Sequence, residues 1–546
     1  MTLHPIVERI LRLRGIPAEQ WEAFLDPSLK RLAAATLLPG VPEAVAVIRP
    51  FVESKRKIVV FGDYDCDGVC ACAILVTALR AFGATAEAFI PDRFTEGYGM
   101  TDASLNRLLS EHPDVELVIT VDNGVSAARE VAILRERGIA VVVTDHHTPG
   151  ADIPVADALV NPRVASCPGC ENLCGAGVAF FLASALAQAL PPAAEKFGMR
   201  ILVLAGLATV VDIMPVVGQN RILVAQSLAA FMRHAPKGLV ELRTRAARNA
   251  GDLRAWDYGF LLGPRVNAAG RMASARLAYD LLMAAEPETL RALAMQIDNL
   301  NAERKTIELR MADEVRAGVR SGSAAVVARG TAEAWHPGVA GIVAARVMES
   351  VGVPVAVAVG DHGSVRAPDG YNVHAALTSA SAALTRFGGH AAAGGFSVKE
   401  GMFDAFIRLF TDACAAQYAA NTETIQKARQ REPDVWIEPA DLTLEFFSQL
   451  HRLEPFGEGN EEPVFGLRAV RFRDCRPMGA DGRHASFSFV NRDVPRAVWW
   501  GHGADVETLR AHAAPHDIVF TLVSSDFGGD EHLELRLLDV RSAQAM

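Results

Sequence analysis

Three apolar, β-branched runs near the start of this chain each end on acidic or imidazole side chains. Lys57-Ile58-Val59-Val60-Phe61 runs into Gly62-Asp63-Tyr64-Asp65-Cys66-Asp67-Gly68. Residues 117–121 run into Asp122-Asn123-Gly124, and residues 140–144 into Asp145-His146-His147. Short runs of this kind, with another at 86–90 and helical stretches such as 69–83 between them, predict a mostly parallel α/β sheet. Ligand sites in such sheets lie outside the carboxyl ends of the strands. The Asp side chains gathered there would repel one another unless cations sat among them. Oxygen donors with some imidazole suit Mn²⁺ or Mg²⁺, and two such ions could hold a phosphate and activate a water. A calcium loop is the rival reading of the first segment. It needs a Glu at its twelfth position, where this chain has Ile74. Asp212, alone in the apolar run Thr209–Met214, also calls for a metal or a basic partner.

The remaining pattern predicts a fold of several parts. Residues 1–45 read as a helical lead-in, and 46–285 as the first α/β domain. Apolar residues recur at helical spacing from Leu290 to Met311 with no Gly or Pro until Gly318, predicting a long helix over 288–320. It would span about 45–50 Å at 1.5 Å per residue and connect domains over 286–322. A second α/β domain follows at 323–420. The segment 421–546 is a polar linker and then about five short strands, the pattern of a small β-barrel with an OB-fold as the leading expectation. The apolar stretches 176–190 and 201–211 are too short to span a bilayer and read as buried helices. No signal peptide or membrane attachment is expected. Eight scattered cysteines are sparse for a disulfide scaffold, so a reducing cytoplasm is expected. Cys167, Cys170 and Cys174 have no obvious fourth ligand nearby, and structural zinc is the less favoured reading.

The motifs themselves resemble the DHH phosphoesterase superfamily, named for the Asp-His-His at 145–147. GDYDCDG (62–68), IPDRFTEGYGM (90–100), TVDNG (120–124), LCGAGVAFF (173–181), ATVVDIMPV (208–216) and GPRVNAAGRM (263–272) resemble its RecJ branch. WHPGVAGIVAARV (335–347) and FGGHAAAGGF (387–396) resemble the associated DHHA1 domain. The resemblance covers roughly residues 40–540. It implies a DHH and a DHHA1 domain around a cleft. It also implies a 5′→3′ exonuclease specific for single-stranded DNA, releasing 5′-mononucleotides with two Mn²⁺ or Mg²⁺ ions in recombination and repair. Carried over, Asp122 would bridge the ions, Asp65 with Asp63 would hold one, and Asp67, His146 and Asp212 the other. His147 would face the scissile phosphate, and Asp145 would orient a neighbouring His. A single-strand-binding protein and a RecQ-type helicase are the partners implied, with the enzyme itself a monomer.

The net charge of −10 argues against a simple basic coat protein but not against a local basic groove. Residues 242–276 hold Arg243, Arg245, Arg248, Arg254, Arg265, Arg271 and Arg276 against two Asp. Arg265, Asn267 and Arg271 lie inside a family motif and are the expected substrate contacts there. In the second domain Ser364, Arg366, Gly389 and His390 are expected to face the catalytic edge. The C-terminal strands mix seven Arg with Phe487, Phe489, Trp499 and Trp500, a composition suited to stacking bases. Two rivals are a phosphodiesterase for very short or cyclic nucleotides and an inactive scaffold. The barrel and long helix argue against the first, and the intact ligand positions against the second.

Overall fold

A computed structural model describes residues 3–97, 99–165, 167–191, 196–246, 252–429, 432–511, 514–525 and 532–543. The first sheet is β1 (Lys57–Phe61), β2 (Thr85–Phe89), β3 (Leu117–Thr120), β4 (Ala140–Thr144) and β5 (Ala158–Val160), in the order β2-β1-β3-β4-β5. Every pairing in it is parallel. Helices therefore cover both faces, and the central strands are buried throughout. One face packs against the helices Cys66–Ala81 and Gly175–Ala189, which are backed in turn by Gly198–Val211. The last two are the apolar stretches read above as buried helices. Among the described residues no single helix is long and apolar enough to cross a membrane.

The long helix spans Pro287–Ala317. Its first half, through Leu290, Ala294 and Ile297, packs into the first core, and its last turns, through Met311, Ala312 and Val315, into the second. The second sheet is mixed. β6 (Val326–Gly330) and β7 (Val355–Val359) are parallel, while β8 (His362–Arg366), β9 (Leu384–Gly389) and β10 (Ala393–Val398) pair antiparallel, in the order β6-β7-β8-β10-β9.

Among the described residues seven strands, more than the five expected, make the C-terminal sheet: β11 (Val435–Trp436), β12 (Phe465–Val470), β13 (Phe472–Met478), β14 (His484–Phe489), β15 (Ala497–Trp499), β16 (His516–Ser525) and β17 (His532–Ser542), in the order β11-β12-β16-β17-β15-β14-β13. After β12 the chain folds back at once as β13. The lead-in also differs from a free-standing segment. Val7, Ile10 and Leu11 of the helix Pro5–Leu13 are buried with Phe446 and Phe465 in the C-terminal core, whereas Leu38, Val41 and Ala44 belong to the first core.

Arg221 ties these parts together. Its guanidinium donates to the carbonyls of Phe24, Leu453 and Glu454 at 2.8, 2.9 and 2.7 Å, and lies 3.9 Å from the Phe24 ring centre. Burial lowers its pKa to about 9. Close by, Val216 N–H donates to Glu458 O at 2.7 Å, so the C-terminal module rests against the segment that follows Asp212.

Candidate metal centre

The loop after β1 turns into a helix earlier than expected. The helix starts at Cys66, not 69, because the Asp65 carboxylate caps it, accepting from the N–H groups of Asp67 and Gly68 at 3.0 and 3.1 Å. Asp67 thus sits in the first turn, where the helix dipole favours a negative charge. Its two oxygens accept from Gly175 N and Ala176 N at 2.6 and 2.7 Å, at the start of a second helix. Gly175 has no room for a side chain, since a Cβ there would lie 2.5 Å from the Asp122 Cβ.

Asp122 follows β3 with φ of 60°, a conformation that Asp adopts more readily than most residues. His146 Nε2 lies 3.2 Å from Asp122 Oδ1, 3.7 Å from Asp212 Oδ2 and 3.8 Å from Asp67 Oδ2. Three sets of donors each fall within 4.8 Å of one another: Asp63, Asp65 and Asp122; Asp67, His146 and Asp212; and Asp122, His146 and His147. The six residues expected to hold metal are therefore together, and Asp122 belongs to two of the sets. Asp63 Oδ1, Asp122 Oδ1 and Asp212 Oδ2 are buried without a hydrogen-bond donor. Burial, reinforced by the neighbouring carboxylates, pushes the pKa of Asp63, Asp122 and Asp212 well up. Orphaned carboxylate oxygens in two overlapping sets fit a pair of hard divalent cations.

Asp145 is placed differently. Its Oδ1 accepts from His147 Nδ1 at 2.7 Å and from the N–H groups of His146 and His147, while Oδ2 accepts from Val125 N at 2.9 Å. Burial alone would raise its pKa, but the His147 contact together with the backbone N–H groups of Val125 and His147 lowers it. Burial opposes protonation of His147, and the Asp145 hydrogen bond still raises its pKa. Asp145 is thus an orienting group, and His147, with its side chain 43% exposed, faces the solvent side of the centre.

Of the expected substrate contacts, two have partners in the scaffold. Arg265 donates to Asp298 on the long helix at 2.9 Å and to Leu261 O at 2.8 Å. Asn267 accepts from Cys66 N at 2.8 Å and so braces the acidic loop. Arg271 donates to Gly338 O at 3.3 Å. It is largely buried, and burial followed by the nearby Arg93 lowers its pKa to about 10. Arg304 and Arg366 add to the same positive field, with Asp65 the acid that opposes it. Arg366 and Ser364, on β8, lie against Gly341, whose absent Cβ would sit 3.1 and 3.4 Å from their side chains. Four arginines from four segments thus share one field around Arg271, next to Asp65 and where the two α/β domains meet; Arg304 among them is paired with Glu308 at 2.7 Å. Gly389 and His390 lie at the β9–β10 hairpin, His390 exposed, and no hydrogen bond or ion pair described for them reaches the metal centre. Arg248 lies outside the described residues.

Two members of the arginine cluster were missed by sequence reasoning. Arg93 sits inside the IPDRFTEGYGM motif and carried a usable signal. Arg304 lies on the buried stripe Ile297, Asn301, Arg304, Glu308 and Met311, where a charged residue at an apolar repeat position is itself the anomaly.

Sequence profiles match in three places: the DHH family N-terminal domain at residues 57–208, the DHHA1 domain at 322–416 and the RecJ OB domain at 433–539. Single-stranded-DNA-specific exonuclease RecJ of Dickeya dadantii is 35% identical over 499 residues, which cover 86% of this chain and 84% of that protein. The chain belongs to the RecJ family. The Thermus thermophilus RecJ is also 35% identical, over 96% of this chain and 73% of its own. Against the Bacillus subtilis RecJ, 32% identical, the match covers 89% of this chain and 62% of the relative. The crystal structure of the Thermus RecJ in complex with Mn²⁺ superposes with a TM-score of 0.83 at 30% identity, covering all of this chain and 79% of that one. A second structure of that protein carries Mg²⁺ and gives 0.75 at 28% identity.

Proposed function

We propose that this protein is a metal-dependent exonuclease that degrades single-stranded DNA from its 5′ end and releases 5′-mononucleotides in recombination and repair. The observation that carries the reading is the three donor sets at one sheet edge, two of them sharing Asp122 and two sharing His146, with an arginine cluster next to Asp65. Mn²⁺ or Mg²⁺ held by Asp63, Asp65 and Asp122 and by Asp67, Asp122, His146 and Asp212 would supply an activated water and offset charge on the phosphorus.

The chain's own groups account for the rest. Asp145 holds His147 by Nδ1 and so orients the ring that would face the scissile phosphate or the departing oxygen. Arg93, Arg271 and Arg366 can grip the oxygens of a terminal phosphate, since guanidinium forks donate two hydrogen bonds at once, while Arg304, held by Asn301 and Glu308, adds only its field. A terminal phosphate fixed there, beside Asp65, would set the reacting bond one nucleotide inward and so select the 5′ end. By the same reading the domains run over 46–285 and 323–420, joined by the 286–322 helix, with the C-terminal module over 421–546. The enzyme would act as a monomer in the cytoplasm, with a single-strand-binding protein and a RecQ-type helicase as partners.

The test uses single-stranded oligonucleotides labelled at either end, with Mn²⁺. Immediate mononucleotide release from the 5′ label, lost in Asp122→Ala, supports the reading. Release from the 3′ label, or equal degradation of blunt duplex, overturns it.

A further inference from the structure

Asp212 is the metal-centre carboxylate that the first domain does least to fix. The other donors lie just after strands or at the start of a helix, whereas Asp212 caps the C-terminus of the helix Gly198–Val211. The helix dipole at that end repels a carboxylate. Its side chain is also the most exposed of its donor set, at 26% against 1% for Asp67 and 6% for His146.

The residue after it is strained. Met214 N–H donates to Thr209 O and Ile213 N–H to Val210 O, closing the helix in the manner that normally places Gly at the left-handed position. Here that position, with φ of 56°, is a β-branched Ile that is 69% exposed. Such a conformation persists only where the surroundings over-determine it. An exposed side chain supplies no such hold, so it comes from the residues that follow.

Those residues are gripped by the C-terminal module. Val216 N–H donates to Glu458 O at 2.7 Å. Gly457 packs on Val216, where a Cβ would lie 2.7 Å from Cγ2, and Gly459, with φ of 67°, packs on Pro215. Both glycines belong to one tight turn, in which Gly457 N–H donates to Asn460 O at 3.0 Å and Asn460 N–H to Gly457 O at 3.1 Å. Asn460 is buried at its base. Its amide donates to Leu453 O and Pro455 O at 2.9 and 2.8 Å, and its side-chain oxygen accepts from Arg14. Arg221 takes the carbonyls of Leu453 and Glu454 from the side of the first domain. The turn is thus fixed to both parts of the molecule.

We propose that the turn Gly457–Asn460 is a positioning element for Asp212. By fixing residues 213–216, the C-terminal module sets how tightly the Asp67, His146 and Asp212 donors hold a divalent cation. The inference rests on the metal-centre reading above. The set of Asp63, Asp65 and Asp122 has no member on this loop, so only one of the two ions depends on the turn.

Gly457→Ala exposes that dependence. Val216 is buried and its branched side chain is stiff at χ1, so an added Cβ displaces the loop backbone. Val216→Ala in the same chain removes Cγ2 and makes the room. Metal-free protein is titrated with Mn²⁺, and the free ion is followed by its paramagnetic resonance signal. Wild type is expected to take up two ions. Gly457→Ala is expected to bind one as before and the other about tenfold more weakly, the scale on which groups behind a metal ligand act. Gly457→Ala/Val216→Ala restores the weakened ion. Asn460→Asp keeps the side-chain shape but loses the two donors, and it reproduces the selective loss. A cooperative thermal transition of each metal-free variant checks that it is folded. In an Asp212→Asn background, where that ion is already weak, Gly457→Ala costs nothing more. Equal loss at both ions, no loss at either, or an undiminished loss in the Asp212→Asn background overturns the proposal. If wild type takes up no Mn²⁺ at all, the metal-centre reading falls first and the inference with it.

Discussion

Asp145 shows how one carboxylate sets the chemistry of a residue it never shares with a substrate. It accepts from three backbone N–H groups and from His147 Nδ1, so it is fully committed inside the protein. Replacement by Asn keeps the shape but removes the charge, and its amide N–H₂ must face either Val125 N–H or His147 Nδ1. Both are donors in the native arrangement. Asp145→Asn is expected to lower kcat by about 10- to 100-fold, the usual cost of losing such an orienting partner. The pH profile adds a sign. Asp145 holds the His147 pKa up, so its loss lets that pKa fall. If His147 acts as the protonated form at the departing oxygen, the alkaline limb of kcat/KM moves to lower pH. A limb that stays in place would exclude His147 as that acid. The site residues themselves were legible in sequence because strand-end carboxylates and imidazoles have few structural uses. The partner of Arg265 was not legible, because an Arg in a motif looks the same whether it meets phosphate or Asp298.

At the scale of elements, the helix Gly263–Met272 makes that distinction measurable. Arg265 anchors it to the long helix, while Arg271, one further turn and a half along, points into the cationic cluster. Arg265→Ala removes a largely buried hydrogen-bonded ion pair, with an expected stability loss of about 1–3 kcal/mol and little change in KM. Arg271→Ala is expected to raise KM for 5′-phosphorylated strands by far more than Arg265→Ala does, with a smaller stability loss because it removes a single backbone hydrogen bond and no ion pair. Thermal unfolding and steady-state kinetics on the two variants check both halves. If both variants move KM alike, the scaffold role of Arg265 is wrong. Elements were readable in proportion to how fully they were buried. β1, β3 and β4 are continuous apolar runs and appear in sequence almost to the residue. The start of the helix Cys66–Ala81 was hidden, because its first turn carries the polar residues that cap it and serve the site. β13 was hidden for a different reason: Phe472-Arg473-Asp474-Cys475-Arg476 lies at the sheet edge, where only Cys475 is fully buried and no long apolar run survives.

For the whole molecule, the net charge of −10 is a sum of opposed local fields, not a uniform acidic surface. Carboxylates gather at one sheet edge, and arginines gather beside them where the domains meet. Neither cluster favours the folded state alone. The raised pKa values of Asp63, Asp122 and Asp212 mean that, without cations, the native state holds protons that the unfolded chain releases. Stability from this source is fully present below the ordinary carboxylate pKa and is lost as pH rises through the raised native values. Divalent cations reverse the balance, since they bind the ionised form and must displace those protons. Ligand binding to the native state then adds stability that grows with the ratio of free metal to its dissociation constant. Mn²⁺ is therefore expected to raise the unfolding temperature by more at pH 8 than at pH 6, with proton release on binding. In Asp122→Asn, which removes the carboxylate common to two donor sets, both the gain and its pH dependence should shrink. Calorimetric unfolding at the two pH values, with and without Mn²⁺, measures this directly. A gain that is equal at both pH values would mean that the carboxylates are already ionised in the metal-free protein, and that the arginine cluster, not protons, offsets their repulsion.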